Sequence, residues 1–104
     1  MKTITLICGT GASTTFMAIS LKKAIKSQNL GYEVTVTPEI SMWNNSIEKF
    51  DQILIAPHLS CLKDELLNRH NIKGKVHIIP VETYATMDGL ELLEFIKDNL
   101  IINN

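Results

Sequence analysis

No apolar run in the sequence approaches the roughly 18 residues that a membrane-spanning helix needs. The opening "KTITLIC" resembles a short secretory leader, with Lys2 ahead of an apolar stretch. Thr3 and Thr5 interrupt it, however, and Gly9 and Gly11 end it too early. A cytoplasmic chain is therefore expected. An excess of one charge is also missing. Ten Lys and Arg stand against eleven Asp and Glu, and a net charge of -1 gives no electrostatic reason to expect nucleic acid or an anionic membrane as partner. Cysteine is scarce. Cys8 and Cys61 share no CxxC spacing, so neither a disulfide framework nor a zinc site is indicated. No linker, low-complexity stretch or internal repeat divides the chain, and 104 residues with 45% hydrophobic content suit one domain spanning residues 1–104.

Four short runs rich in β-branched residues are present: Thr3 to Cys8, Tyr32 to Thr37, Gln52 to Ala56 and Val76 to Val81. The first and third are nearly continuous in apolar character, as strands covered on both faces should be. "YEVTVT" alternates, which suits an edge strand. Between the runs lie helical patterns. Met17, Leu21, Ala24, Ile25 and Gln28 form one stripe, with Lys22, Lys23 and Lys26 mostly off it and Gly31 as the expected stop. A second helix is expected over about Leu59 to Arg69 and a short one over Met42 to Glu48. The last opens at "DGLE", where Asp88 can cap and Glu91 can reach back, and frays at Ile101 and Ile102.

Strands alternating with helices in this way predict right-handed βαβ units. The expected fold is α/β: a small doubly wound domain with a four-stranded parallel sheet, order 2-1-3-4, and helices on both faces. In such sheets the functional crevice lies beyond the carboxyl ends of the strands, where strand order reverses. That rule points to the residues after strands 1, 3 and 4.

After strand 1 comes "CGTGASTT". Glycines there let backbone N–H groups turn inward as an anion-binding nest, and the following helix N-terminus adds partial positive charge. The hydroxyls of Thr10, Ser13, Thr14 and Thr15 are further donors. The same dipoles favour thiolate over thiol at Cys8, so nucleophile and dianion cradle come together, as a phosphocysteine requires. The plainer reading is a buried strand-end cysteine before a tight turn. Familiar phosphate motifs fail. Thr14 stands where a dinucleotide fingerprint has its third glycine, and no Gly-Lys-Ser/Thr triplet is present. A tyrosine-phosphatase loop would have arginine at position 14, and threonine neither grips a phosphoryl group bidentately nor neutralises it. The loop is better suited to holding a phosphoryl group for another acceptor than to hydrolysing it.

Strand, "CGTGASTT", helix, "ILIAP" and then "YATMDG" resemble, in order and over essentially the whole chain, the enzyme IIB component of the lactose/cellobiose/chitobiose-type bacterial sugar phosphotransferase system. The family pattern is a cysteine followed by x-x-G-x-S-T, a third strand ending in Gly/Ala-Pro, and Tyr-x-x-Met-Asp-Gly before the last helix. The resemblance implies a fold like that of low-molecular-weight tyrosine phosphatases. It also implies that Cys8 attacks a phosphohistidine of the IIA component and passes the phosphoryl group to a sugar in the membrane-embedded IIC component. By position, Gly9, Thr10, Gly11, Ala12, Ser13, Thr14 and Thr15 are the phosphate-binding loop. Neither a metal nor another cofactor is implied. The chain would be monomeric alone and peripherally attached to the membrane through IIC. A β-linked disaccharide such as cellobiose or diacetylchitobiose is the implied cargo, and no residue here discriminates between them.

One departure stands out: the family commonly has glutamine after the strand-3 proline, and this chain has His58. His58, Tyr84 and Asp88 are candidate accessory residues. For His58 the plainer account is a solvent-facing loop, and for Asp88 a helix cap. Tyr84 and Met87 belong either to a docking surface around Cys8 or to the packing of the sheet's end. His70 reads as a helix-end cation, His77 as a strand residue and Cys61 as packing beside Leu62 and Leu66, while Trp43 has no assignment. Three rivals remain open: a flavodoxin-like flavin mononucleotide module, a low-molecular-weight phosphatase-like hydrolase and a thiol redox role.

Overall fold

The structure, a computed structural model, describes residues 2–8, 13–38, 45–70, 72 and 75–99. Four strands, β1 Lys2–Cys8, β2 Tyr32–Pro38, β3 Gln52–Ile55 and β4 Val76–Ile78, form one parallel sheet in the order β2-β1-β3-β4. This is the order expected from the sequence. Register runs from Lys2 opposite Tyr32 to Cys8 opposite Pro38 on one side of β1, and from Ile4 opposite Gln52 to Ile7 opposite Ile55 on the other. The apolar first and third strands are therefore interior and the alternating second strand is an edge.

The two-residue period of a strand sends neighbouring side chains to opposite faces, and each face has its own core. On one, Ile4, Leu6 and Leu54 meet Met17, Leu21 and Ile25 of helix α1 (Ser13–Ser27), and Leu92, Leu93 and Ile96 of helix α4 (Gly89–Asn99). On the other, Ile7, Ile53 and Ile55 pack with Ile47, Ile72 and Leu66, the last from helix α2 (Lys63–Arg69). Thr5, on the same face as Ile7, is fully buried, and its hydroxyl is satisfied by that of Thr37 at 2.6 Å.

Several local expectations are corrected. β4 ends at Ile78, and the run read as strand as far as Val81 turns into helix α3 (Val81–Thr86). Pro80 is the cause. Ile79 N–H still donates to Ile55 O at 2.9 Å, but proline has no N–H to extend the ladder, and its carbonyl accepts from Tyr84 to open the helix. The segment before α2 is a 3-10 helix, Pro57–Leu62, instead of a continuation of the α-helix. Its tighter winding rotates Cys61 away from the core, so that thiol is exposed, contrary to the packing role expected. His70 is no exposed cation at the helix end. It is buried, with Nδ1 3.1 Å from Glu48 Oε2, and ties α2 to the 3-10 turn Asn45–Lys49. His77 is half-buried in β4, as a strand residue. Of the short helix expected over Met42 to Glu48, only residues 45–48 are described, as part of the 3-10 turn Asn45–Lys49, and Trp43, Ile101 and Ile102 lie outside the described residues.

Candidate functional site

Cys8 closes the central strand, one position beyond the Ile7–Ile55 pair, with β2 on one side and β3 on the other. The chain leaves β1 to run out to β2 and then returns to β3. The carboxyl ends of β1 and β3 are therefore the switch point. Four residues separate Cys8 from the first residue of α1, whose opening turn carries no acidic side chain to oppose the positive end of the helix dipole. Gly9, Thr10, Gly11 and Ala12 lie outside the described residues, and the two ends of the loop are fixed by Cys8 in β1 and Ser13 at the start of α1.

At its far end, Thr14 is 2% exposed and its hydroxyl stands 3.1 Å from the Tyr84 hydroxyl. Either oxygen can donate. Thr15 beside it is exposed. The Tyr84 ring lies on α3, half-buried against the first core, and its centroid is 5.8 Å from that of His58, tilted by 53°. His58 is exposed, on the 3-10 turn that leaves β3. Tyr84 thus joins the ends of three segments: the start of α1, the exit of β3 and the helix after β4.

The "YATMDG" stretch is built for this placement. Met87 takes a left-handed conformation, φ 54°, which ends α3. Its N–H donates to Tyr84 O and that of Asp88 to Thr83 O, a Schellman closure with methionine where glycine is usual. Asp88 then caps α4, its Oδ1 accepting from Leu90 N at 3.0 Å and Glu91 N at 3.1 Å. Glu91 does not reach back as expected. Its carboxylate accepts from the buried Thr83 hydroxyl at 3.3 Å, because the Asp88 N–H is already spent on Thr83 O. Gly89 sits against the backbone of α1: its N–H donates to Ser20 Oγ at 2.8 Å, and a Cβ there would run into the carbonyl of Ser20. These contacts fix where α3 stands and hence where Tyr84 points. The Thr14–Tyr84 and Gly89–Ser20 pairings were invisible in the sequence, since their partners lie about 70 positions apart. The switch-point rule and the "YATMDG" motif point to Tyr84 and Asp88, but not to these partners.

The geometry defines a doubly wound α/β domain with its crevice at the β1/β3 switch point. The chain belongs to the IIB family of the bacterial sugar phosphotransferase system: the family model described as "PTS system, Lactose/Cellobiose specific IIB subunit" matches residues 3–95. A curated relative, the oligo-beta-mannoside-specific EIIB component of Bacillus subtilis (strain 168), is 29% identical over 104 residues, covering 90% of this chain and 91% of the relative. The solved cellobiose-specific IIB component of Borrelia burgdorferi is 27% identical, with a TM-score of 0.71 over 95% of this chain and 91% of its own. The lactose-specific IIB domain of Streptococcus pneumoniae superposes with a TM-score of 0.80 over 94% of this chain and 96% of its own at 11% identity, a likeness of fold alone. The IIB domains share the fold of low-molecular-weight phosphatases, as the sequence motifs implied. The protein is therefore a sugar phosphotransferase component, which places it apart from flavodoxins and hydrolases; components of this kind work with IIA and IIC partners. Among the described residues no helix is long and apolar enough to cross a membrane.

Proposed function

We propose that Cys8 is the phosphoryl carrier, taking the group from a phosphohistidine of the IIA component and giving it to a sugar held by the IIC component. The position of Cys8 carries this reading: it ends the central strand at the switch point, immediately before a glycine- and hydroxyl-rich loop that feeds a helix N-terminus. In the first step the Cys8 thiolate attacks phosphorus. An S–P bond forms as the donor's N–P bond breaks, and the histidine ring keeps the electron pair. In the second a sugar hydroxyl attacks phosphorus, the S–P bond breaks with its electron pair returning to the Cys8 sulfur, and the hydroxyl proton offsets the thiolate so formed. Charge at phosphorus is met by loop N–H groups and hydroxyls from Gly9 to Thr15 and by the α1 dipole, so catalysis is mostly positioning.

Thr14 would be held for that task by Tyr84, and His58 would stand at the rim. Asp88 acts through the cap that positions α4. A family named for lactose and cellobiose and a relative named for oligo-β-mannosides support a β-linked disaccharide, such as cellobiose or diacetylchitobiose, as cargo. The test is labelling by a phosphorylated IIA component. The parent chain and Cys61→Ser are expected to take up one acid-resistant phosphoryl group and Cys8→Ser none. Label that survives in Cys8→Ser and disappears in Cys61→Ser would overturn the assignment.

A further inference from the structure

Beside the candidate site a groove of about 470 Å³ runs along α4, starting where α3 ends. Pro80, Leu90 and Phe95 give it an apolar floor, and Leu90 is 52% exposed although it is a large aliphatic side chain. Its rim is acidic: Asp88, Glu91, Glu94 and Asp98 all line it, and none of its lining residues is cationic. Lys97 of α4 is 3.9 Å from Glu94 and donates to Gln28 Oε1, so it offsets at most one of the four carboxylates and does not itself line the groove. The flank formed by α1 has the reverse character. There Phe16 and Ile19 are exposed beside the exposed Lys22, Lys23 and Lys26. The later turns of α1 and the α4 groove are thus surfaces of opposite sign, on a chain whose net charge is -1.

We infer that the α3–α4 groove, with its apolar floor and acidic rim, docks a Lys/Arg-bearing cytoplasmic segment of the membrane-embedded sugar component. The inference rests on the carrier reading, since it takes IIC as the phosphoryl acceptor. Cytoplasmic loops of membrane proteins carry an excess of Lys and Arg, and such a segment complements this rim in sign. The lipid surface does not: anionic headgroups are repelled by four carboxylates. Continuity favours the same partner. The groove begins at Asp88, next to the Tyr84 cluster, so a segment lying in it leaves the crevice open to the acceptor sugar.

The test compares binding of the full-length chain to vesicles of zwitterionic lipid that contain the IIC component with binding to the same vesicles lacking it. The variant carries Glu94→Lys and Asp98→Lys, both in the later turns of α4, where cations suit the helix dipole and the lost Glu94–Lys97 pair is an exposed one of little weight. Expected is a fivefold or greater loss of IIC-dependent binding at low salt, on the order of what reversing close interfacial charges does to encounter. Parent binding should weaken steeply with added salt and variant binding little. Leu90→Ser should also bind more weakly, with parent-like salt dependence. Labelling by the phosphorylated IIA component should be unchanged in both, which also shows that they fold. Parent-like binding by the charge variant, no IIC-dependent binding by the parent, or a defect confined to IIA labelling would each overturn the inference. Failure of the parent to accept any label would instead overturn the carrier reading.

Discussion

The hydroxyl of Thr14, at the start of α1, lies 3.1 Å from the hydroxyl of Tyr84, on the helix that follows β4. The bond bridges two of the three segments that meet at the candidate crevice, and it satisfies a threonine that is nearly inaccessible to water. Thr14→Val and Tyr84→Phe each remove one oxygen. Tyr84→Phe leaves the Thr14 hydroxyl buried without its partner and should cost about 1–3 kcal/mol in urea unfolding. The double variant should cost less than the two single losses added together, by about 1 kcal/mol, because its second substitution finds the bond already gone. Strictly additive losses would mean that the two hydroxyls do not interact.

Gly89 tests the packing that sets α3 and α4 in place. Its Cα hydrogen faces the backbone of Ser20, so Gly89→Ala must push α4 away from α1. The expected loss is about 2–4 kcal/mol by thermal or urea unfolding, although alanine has the better helix propensity. Ser20→Ala removes only the acceptor for Gly89 N–H and should cost about 1 kcal/mol.

Among the described residues, Asp51 is a contributor to acid stability. Asp51 Oδ2 accepts from Thr3 N at 2.8 Å and from Thr3 Oγ1 at 3.1 Å, which fastens the turn before β3 to the start of β1. The Thr3 N–H, foremost, holds the carboxyl below its ordinary value of 3.8, with help from the Thr3 hydroxyl and from Lys2 and Lys75. Because the folded value is the lower one, the stabilisation is present in full above the unfolded value. It disappears as pH falls from about there through the folded value. Asp51→Asn should therefore be less stable than the parent at pH 7, and the difference should shrink on acidification below pH 3.8.

The edge position of β2 and the two-sided core were legible because period-two and period-3.6 patterns encode burial directly, whereas the full strand order went with the family resemblance. Punctuation was harder to read. Gly31 looks like the helix stop, yet Asn29 holds the left-handed conformation, φ 56°, with Leu30 N–H donating to Ile25 O and Asn29 N–H to Lys26 O. Both residues are tolerated there, and which one ends the helix depends on where Leu30 finds apolar cover. Asn29→Val should cost about 1–2 kcal/mol, whereas Gly31→Ala, with open space around the added carbon, should change stability by less than about 1 kcal/mol. Motifs likewise pointed to a candidate crevice without its wiring. The bond from Thr14 at the start of α1 to Tyr84 on α3 depends on the whole sheet being assembled.

The central claim concerns a single sulfur atom. The most direct measurement is fragmentation mass spectrometry of the intact chain after phosphorylation by its IIA donor, under conditions that preserve thiophosphate esters. The phosphoryl group is expected on Cys8 alone. Its appearance on His58, on the exposed Cys61 or on the hydroxyls of Ser13 to Thr15, with Cys8 unmodified, would contradict the account.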